Sequence, residues 1–333
     1  MNTNPHSISS RLRRIDKKPS TLARLDKFID LQPLVDCIDS QCPAPKNKHG
    51  GRPHYPTEIM LRMLIIQQFF NLSDEQLEIQ VLDRLSFHRF VKFAFFDDVP
   101  DSNTCRNFRE KLIKNNVLDK LFAAINLQIQ QAGFIARAGQ IIDATFIPVP
   151  KQRNSRKENK LINEENAIPI DWSPRKRQQK DIDASWTKKN NETHFGYKQT
   201  VSIDAKYKFI RKYHCSTAKQ HDSKHVDEVL DPSNTSKAVY MDRGYDGKPT
   251  YDKLKEKKYR ECIQRKGKLK RTLKRNHRLS KTRVRVEHIF AAYTEMGGKL
   301  IRCIGFERAK LQMGLKACMY NLRRLSMFRA QCV

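Results

Sequence analysis

The sequence predicts an α/β protein, a mixed sheet flanked by helices and preceded by an all-helical N-terminal domain. Three observations predict it. Residues 51-136 carry helical apolar spacing and helix caps throughout. At Gly139 the period changes to that of a buried strand. Beyond it, extended runs alternate with helical segments, the pattern of a sheet with helices packed on it.

Residues 1-50 are polar and broken by Pro19, Pro33, Pro43 and Pro45. They read as an arm with one short amphipathic helix from Leu22 to Leu34 and little core of its own. After Pro56, Thr57 can cap a helix carrying Ile59, Met60, Met63, Leu64 and Phe70, and Ser73 with Gln76 makes a capping box for the next. Pro100, Asp101 and Ser102 open a helix through Phe108 and Leu112, with Ser102 as its cap. Another helix, Val117 to Gln131, stops at Gly133.

The strand beginning at Gly139 contains Ile141, Ile142, Ala144, Phe146, Ile147 and Val149, and Pro148 and Pro150 end it. Residues 151-190 are dominated by Lys, Arg, Asn and Gln, too polar to fold independently, and read as a loop or an insert ordered by DNA. Phe195 to Ile203 and Phe209 to Thr217 form a hairpin about the turn at Asp204 to Tyr207. A helix near His225 to Leu230, a strand Ala238 to Met241, a charged helix from Pro249 to Lys257 and a strand Tyr259 to Gln264 follow. The expected organisation is a 1-50 arm, a 51-136 helical domain for DNA binding or dimerisation, a 137-304 sheet domain with its 151-190 insert, and a 305-333 C-terminal helix packing on the core.

Sixty-five Lys and Arg against 36 Asp and Glu leave a formal charge of +29 on 333 residues. Such a chain repels itself unless a polyanion is nearby, and nucleic acid is the obvious one. An acidic membrane surface competes, but no apolar run approaches the roughly 18 residues of a spanning helix, and the start lacks an apolar signal core. A soluble cytoplasmic protein is expected. The eight cysteines are scattered with no CxxC pair, which argues for free thiols rather than structural zinc.

Against this basic background three acids stand out. Asp143 lies inside an apolar strand, where an ionised carboxylate needs a cation or dense hydrogen bonding. Asp242 ends a short apolar strand, where open α/β sheets gather ligands. Glu287 sits beside the buried stripe of Val286, Ile289, Phe290, Tyr293 and Met296, and Arg283 precedes it by one helical turn, able to hold a phosphate or the glutamate itself. Carboxylates are natural ligands for paired Mg²⁺ ions about 4 Å apart in phosphodiester chemistry. The bland alternative is three acids neutralising surface lysines, and from residue chemistry alone the two stand about even.

The order of several short motifs resembles the IS5 family of bacterial insertion-sequence transposases, members of the DDE superfamily. The N-terminal motifs are Gly51-Arg52-Pro53, Tyr55-Pro56, Leu61 to Leu64, Leu72 to Leu77 and Pro100-Asp101-Ser102. The later ones are Ile142-Asp143-Ala144-Thr145, His194-Phe195-Gly196-Tyr197-Lys198, His221-Asp222-Ser223, Asp242-Arg243-Gly244-Tyr245 and Val286-Glu287-His288-Ile289-Phe290. The resemblance implies an RNase H-like core and a metal-binding catalytic triad of Asp143, Asp242 and Glu287. It implies two Mg²⁺ ions, with Mn²⁺ as a substitute. It further implies cleavage at terminal inverted repeats, joining of the 3′ hydroxyl ends to target DNA, and a homodimer or higher oligomer on DNA in the bacterial nucleoid. Within the family's tyrosine, arginine, glutamate and lysine pattern, Arg283 and Glu287 match; Ser280 and Thr294 stand at the outer positions, with Lys299 or Arg302 as substitutes for the lysine. A nuclease that cuts without joining, and a DNA-binding remnant without catalysis, are the rival readings.

Eleven Lys or Arg residues and no acid lie between Arg265 and Arg285, which reads as a phosphate-tracking surface including Lys268, Lys270, Arg271, Lys274 and Arg275. Arg106 and Arg109 are candidates for a helix that enters the major groove. Lys198, Arg243 and Tyr245 are further candidates for DNA contact.

Overall fold

The computed structural model describes residues 8-18, 20-43, 54-93, 98-149, 153-165, 167-189, 191-298 and 300-332. The Gly51-Arg52-Pro53 motif and Lys299 lie outside the described residues. The chain forms two compact units, Met1–Leu127 with Asn321–Val333, and Gln128–Tyr320.

The first unit is helical: α1 (Ile8–Asp16), α2 (Thr21–Phe28), α3 (Gln32–Gln41), α4 (Thr57–Phe70), α5 (Asp74–Asp83), α6 (Leu85–Val91), α7 (Ser102–Lys114) and most of α8 (Val117–Gln131). The central helix is α4, every residue of which is buried from Met60 to Phe69. Its Arg62 is buried by pairing with Asp26 at 2.7 Å, Glu58 at 2.9 Å and the Phe90 carbonyl at 2.8 Å, so the charge enters the core fully partnered.

Three local expectations need correction here, the first being that Thr57 caps α4: the N-cap is Pro56, and Thr57 is already helical. Residues 20-41 form two helices, not one, and they bury Leu22, Leu25, Leu34, Val35 and Ile38. Pro33 does not break this region because it occupies the first turn of α3, where no backbone donor is lost. The cap of α7 is Asp101, whose carboxylate accepts from Thr104 N–H at 2.7 Å; Ser102 is already helical. Ser73 caps α5 by accepting from Gln76 N–H at 3.2 Å.

The second unit holds β1 (Gln140–Pro148), α9 (Arg156–Glu164), α10 (Pro174–Gln179), β2 (Ser185–Lys189), β3 (Glu192–Asp204), β4 (Ile210–Thr217), α11 (Val226–Val229), β5 (Ala238–Met241), α12 (Lys248–Glu256), β6 (Arg260–Ile263), α13 (Lys270–Arg283) and α14 (Glu287–Glu295). The long α15 (Phe306–Gln331) follows. β1 is central: β3 pairs with it antiparallel on one side and β5 parallel on the other. β4 extends the antiparallel side and β6 the parallel side, while β2 pairs with the N-terminal end of β3. This is the RNase H-like arrangement. Strand alternation divides the core into two layers. Ile142, Val226, Val229, Val239, Met241 and Ile263 pack on one side, and Ile147, Tyr197, Cys215, Ala309 and Met313 on the other.

The 151-190 segment is more ordered than its composition suggests. Ser155 and Glu158 make a reciprocal capping box on α9, and Glu158 also accepts from Trp172 Nε1 at 2.9 Å and pairs with Lys176 and Lys180. Burial opposes the charge, but these donors hold the Glu158 carboxyl down to about 2. Trp172 is thereby buried, with Lys176 and Lys180 over its ring.

Candidate functional site

The β1–β5 ladder ends at Ile141↔Tyr240. Two residues further along each strand stand Asp143 and Asp242, so parallel register brings them side by side just past the last paired residues. Asp143 remains tied to β3 opposite Val201, and its Oδ1 accepts from Ala144 N–H at 2.8 Å. Asp242 turns the chain into a 3-10 turn, Arg243–Tyr245, by accepting from Gly244 N–H at 2.8 Å.

Glu287 arrives from the other end of the unit. α13 closes with a 3-10 turn, Val284–Val286, and Glu287 begins α14. Arg283, last in α13, donates from Nη1 to Asp143 Oδ2 at 3.0 Å and lies 3.7 Å from Glu287 Oε1. Its Nε is buried without a hydrogen-bond partner among the described residues.

The three carboxylates share one electrostatic environment. Burial pushes the Asp143 carboxyl up to about 6; the charge of Asp242 adds to this and that of Glu287 contributes, against the Ala144 hydrogen bond and the Arg283 guanidinium. Arg283 thus lowers the Asp143 carboxyl without offsetting burial and the neighbouring acids. Carboxylate oxygens in a half-buried setting beside a solvent-facing glutamate suit a hard divalent cation. Asp143, Asp242 and Glu287 are the residues that could hold it.

A polar layer backs this cluster. Lys198 donates to the Gln220 carbonyl at 2.7 Å, pairs with Asp222 at 3.0 Å and lies over the Phe146 ring, which itself stacks on His194. Tyr245 is buried, and burial together with the charges of Asp222, Asp143 and Asp242 holds its phenol well above the ordinary value. Neither side chain is displayed to a ligand from outside, which corrects the expectation that Lys198 and Tyr245 contact DNA. Residue type alone does not reveal such internal partners. His221 turns to Ser223, at 2.8 Å.

The basic segment resolves into a helix with two sides. Asn276 and Leu279 are buried, and Asn276 holds the approach to α13 through both the N–H and the carbonyl of Arg265, each at 2.9 Å. Lys268, Lys270, Arg271 and Lys274 are exposed, as is Arg243 after β5. Arg275 differs from them: it is partly buried, pairs with Glu261 at 3.0 Å and donates to the Ile263 carbonyl. Ser280 accepts from Gln264 at 2.6 Å, and Thr294 folds its hydroxyl back onto the Phe290 carbonyl at 3.0 Å.

In the helical unit Arg106 is exposed, whereas Arg109 makes a two-pronged pair with Asp74 at 2.6 and 2.7 Å and donates to Gln67 at 3.0 Å. That fork holds α7 against the start of α5 and gives Arg109 an internal acidic hydrogen-bond partner, which Arg106 lacks among the described residues. The sequence reading also missed the Arg283 to Asp143 bond, since no local spacing signals it.

No helix among the described residues is long and apolar enough to cross a membrane. The chain is similar to a solved structure described as the "Cryo-EM structure of piggyBac transposase synaptic complex with hairpin DNA (SNHP)". The two share 13% sequence identity at a TM-score of 0.43, over 95% of this chain and 75% of that one. Residues 9–111 match the family described as "Transposase domain (DUF772)". Residues 136–322, more than half of the chain, match the family described as "Transposase DDE domain", and the protein belongs to this family of DDE transposases.

Proposed function

We propose that this DDE transposase is of the IS5 type, binds the terminal inverted repeats of an insertion sequence, cleaves at the element ends and joins the freed 3′ hydroxyls to target DNA. The observation that carries the proposal is Asp143: a buried strand carboxylate, pushed up to about 6 by burial and by Asp242, with Arg283 bonded to it and within reach of Glu287. Such a site is short of positive charge.

Asp143, Asp242 and Glu287 would hold two Mg²⁺ ions, for which Mn²⁺ can substitute. When bound, the ions supply Lewis-acid activation of the attacking oxygen and neutralise charge at the leaving oxygen. The chain's own residues supply orientation. Asp242 is fixed by Gly244 N–H, and Asp143 by Ala144 N–H and Arg283, so neither carboxylate must reorganise during the reaction. Arg283 also has a buried Nε–H without a partner among the described residues, a donor suited to a phosphate oxygen. The exposed Lys268, Lys270, Arg271 and Lys274 would track the DNA backbone, with Arg106 and Arg243 as further contacts. Because hydrolysis and strand transfer are both in-line displacements at phosphorus, one site serves both steps. A homo-oligomer on DNA and a nucleoid location in the cytoplasm belong to the same proposal.

The test is to incubate purified protein with Mg²⁺ and a labelled element end. Joined products support the proposal; cut ends alone indicate a nuclease, and a mobility shift without cleavage indicates a DNA-binding remnant.

A further inference from the structure

On the face of the sheet opposite Asp143, a second set of metal-binding side chains converges. His214 comes from β4, His225 ends the 3-10 turn Asp222–His225, and Glu228 follows in α11. One donor atom from each lies within 4.8 Å of those of the other two. His225 Nδ1 is 3.2 Å from Glu228 Oε1, and His214 Nδ1 contacts the other carboxylate oxygen. The two rings stack at 4.2 Å between centroids and 18° between planes.

Register separates this group from the acidic triad. Asp143 pairs with Val201 and Val201 with Tyr213, so these three share a face. His214 is the next residue after Tyr213 and points to the other side, where Val226 and Val229 of α11 pack on Ile142. The sheet lies between the two sets.

Ordinary packing leaves much of the group unexplained. One imidazole suffices to satisfy an outer glutamate, yet two converge on it through the same ring atom. Nε2 of His225 is buried without a hydrogen-bond partner among the described residues, so Nδ1 is where that ring is engaged. Burial, with His225 nearby, holds His214 below its ordinary value, which favours the neutral ring that ligates metal.

We propose that His214, His225 and Glu228 bind one borderline divalent ion of the zinc class, at a site distinct from the oxygen-only cluster of Asp143, Asp242 and Glu287. Two imidazole nitrogens and one carboxylate make a three-ligand set that leaves a coordination position for water. Nitrogen donors select zinc, cobalt or nickel over magnesium. Glu228 is half exposed and gives the ion a way in. The ion would fasten α11 to β4. It would thereby fix the turn whose first residue, Asp222, pairs with Lys198 behind the triad.

The experiment is a Co²⁺ titration of the metal-free full-length protein in excess Mg²⁺. A visible d–d absorption that saturates, lacks a thiolate charge-transfer band and persists in Asp143→Asn is expected. It should be lost in His225→Gln and Glu228→Gln. Absence of a saturating band, or a band unchanged in both variants, overturns the proposal. Crystals of the unaltered protein soaked in Zn²⁺ give a second reading that no variant can spoil by misfolding: an anomalous peak among the three side chains supports the site, and zinc bound only elsewhere refutes it. None of these readouts depends on DNA cleavage, so failure here and failure of the transposition chemistry are separable.

Discussion

Arg283 reaches back across 140 residues of chain to donate a hydrogen bond to Asp143 at 3.0 Å, with Glu287 3.7 Å from the same nitrogen. It sets one cation against Asp143 with a second acid, Glu287, in reach. Replacing it with glutamine leaves Asp143 buried beside Asp242 and Glu287 without its cation. Arg283→Gln should lower stability near neutral pH by about 1–3 kcal/mol, read from denaturant melts, and adding Mg²⁺ should restore part of the loss.

Asp143→Asn has the opposite balance. It removes a charge from a crowded acidic cluster while keeping the shape of the side chain, so the fold should be retained or slightly stabilised. Cleavage of a labelled element end should fall by roughly a thousandfold or more, equivalent to about 4 kcal/mol of lost stabilisation, with DNA binding intact. A variant that cleaves at the normal rate refutes the proposed role of Asp143.

Lys316 offers a pH-dependent test away from the DNA chemistry. Burial, with Arg302 nearby, holds its ammonium down to about 7 from an ordinary 10.5, while Nζ donates to the Met296 carbonyl at 2.6 Å. Between these two values the unfolded chain holds a proton that the folded one has released. Stability due to this group therefore rises with pH across that window, at up to about 1.4 kcal/mol per pH unit, and the gain is lost as pH falls through about 7. Lys316→Met should flatten this part of the curve relative to the unaltered protein, as seen in urea melts from pH 6 to 10.

Gly196 sits at φ +153 with the Ile147 carbonyl 2.4 Å from where a Cβ would be. Gly196→Ala should cost about 2–4 kcal/mol by forcing β3 away from β1. Thermal melting measures this directly, and a variant as stable as the parent would contradict the close strand approach.

The exposed side of α13 should show itself through salt. Replacing Lys270 and Lys274 together by alanine should weaken DNA binding regardless of sequence and reduce the slope of log affinity against log salt by about 2. An unchanged slope would mean that this side of the helix faces away from the phosphates.

What could be read from the residues followed local periodicity. β1, the β3–β4 hairpin and the strand that ends at Asp242 are legible because apolar alternation and turn residues mark them. The acids could be nominated for the same reason, since a carboxylate inside or at the end of an apolar strand is conspicuous. The fold of residues 151-190 was hidden, because Glu158 organises it through Trp172, Lys176 and Lys180 at separations that no helical or strand period reports. The internal engagement of Lys198, Tyr245, Arg109 and Arg275 was hidden for a related reason. Each has the chemistry of a DNA contact, but Asp222, burial, Asp74 and Glu261 respectively claim it.

The two donor sets on opposite faces make the parity of β1 consequential. Adding or deleting one residue between Gln140 and Asp143 would exchange the faces of every side chain after it. The aspartate would then face the α11 side with the histidines, and an isoleucine or alanine would take its place before Arg283. Two residues, by contrast, would shift Asp143 along the strand without turning it over. Odd and even insertions in this strand should therefore differ in kind: only the odd ones change which surface of the sheet carries the charge.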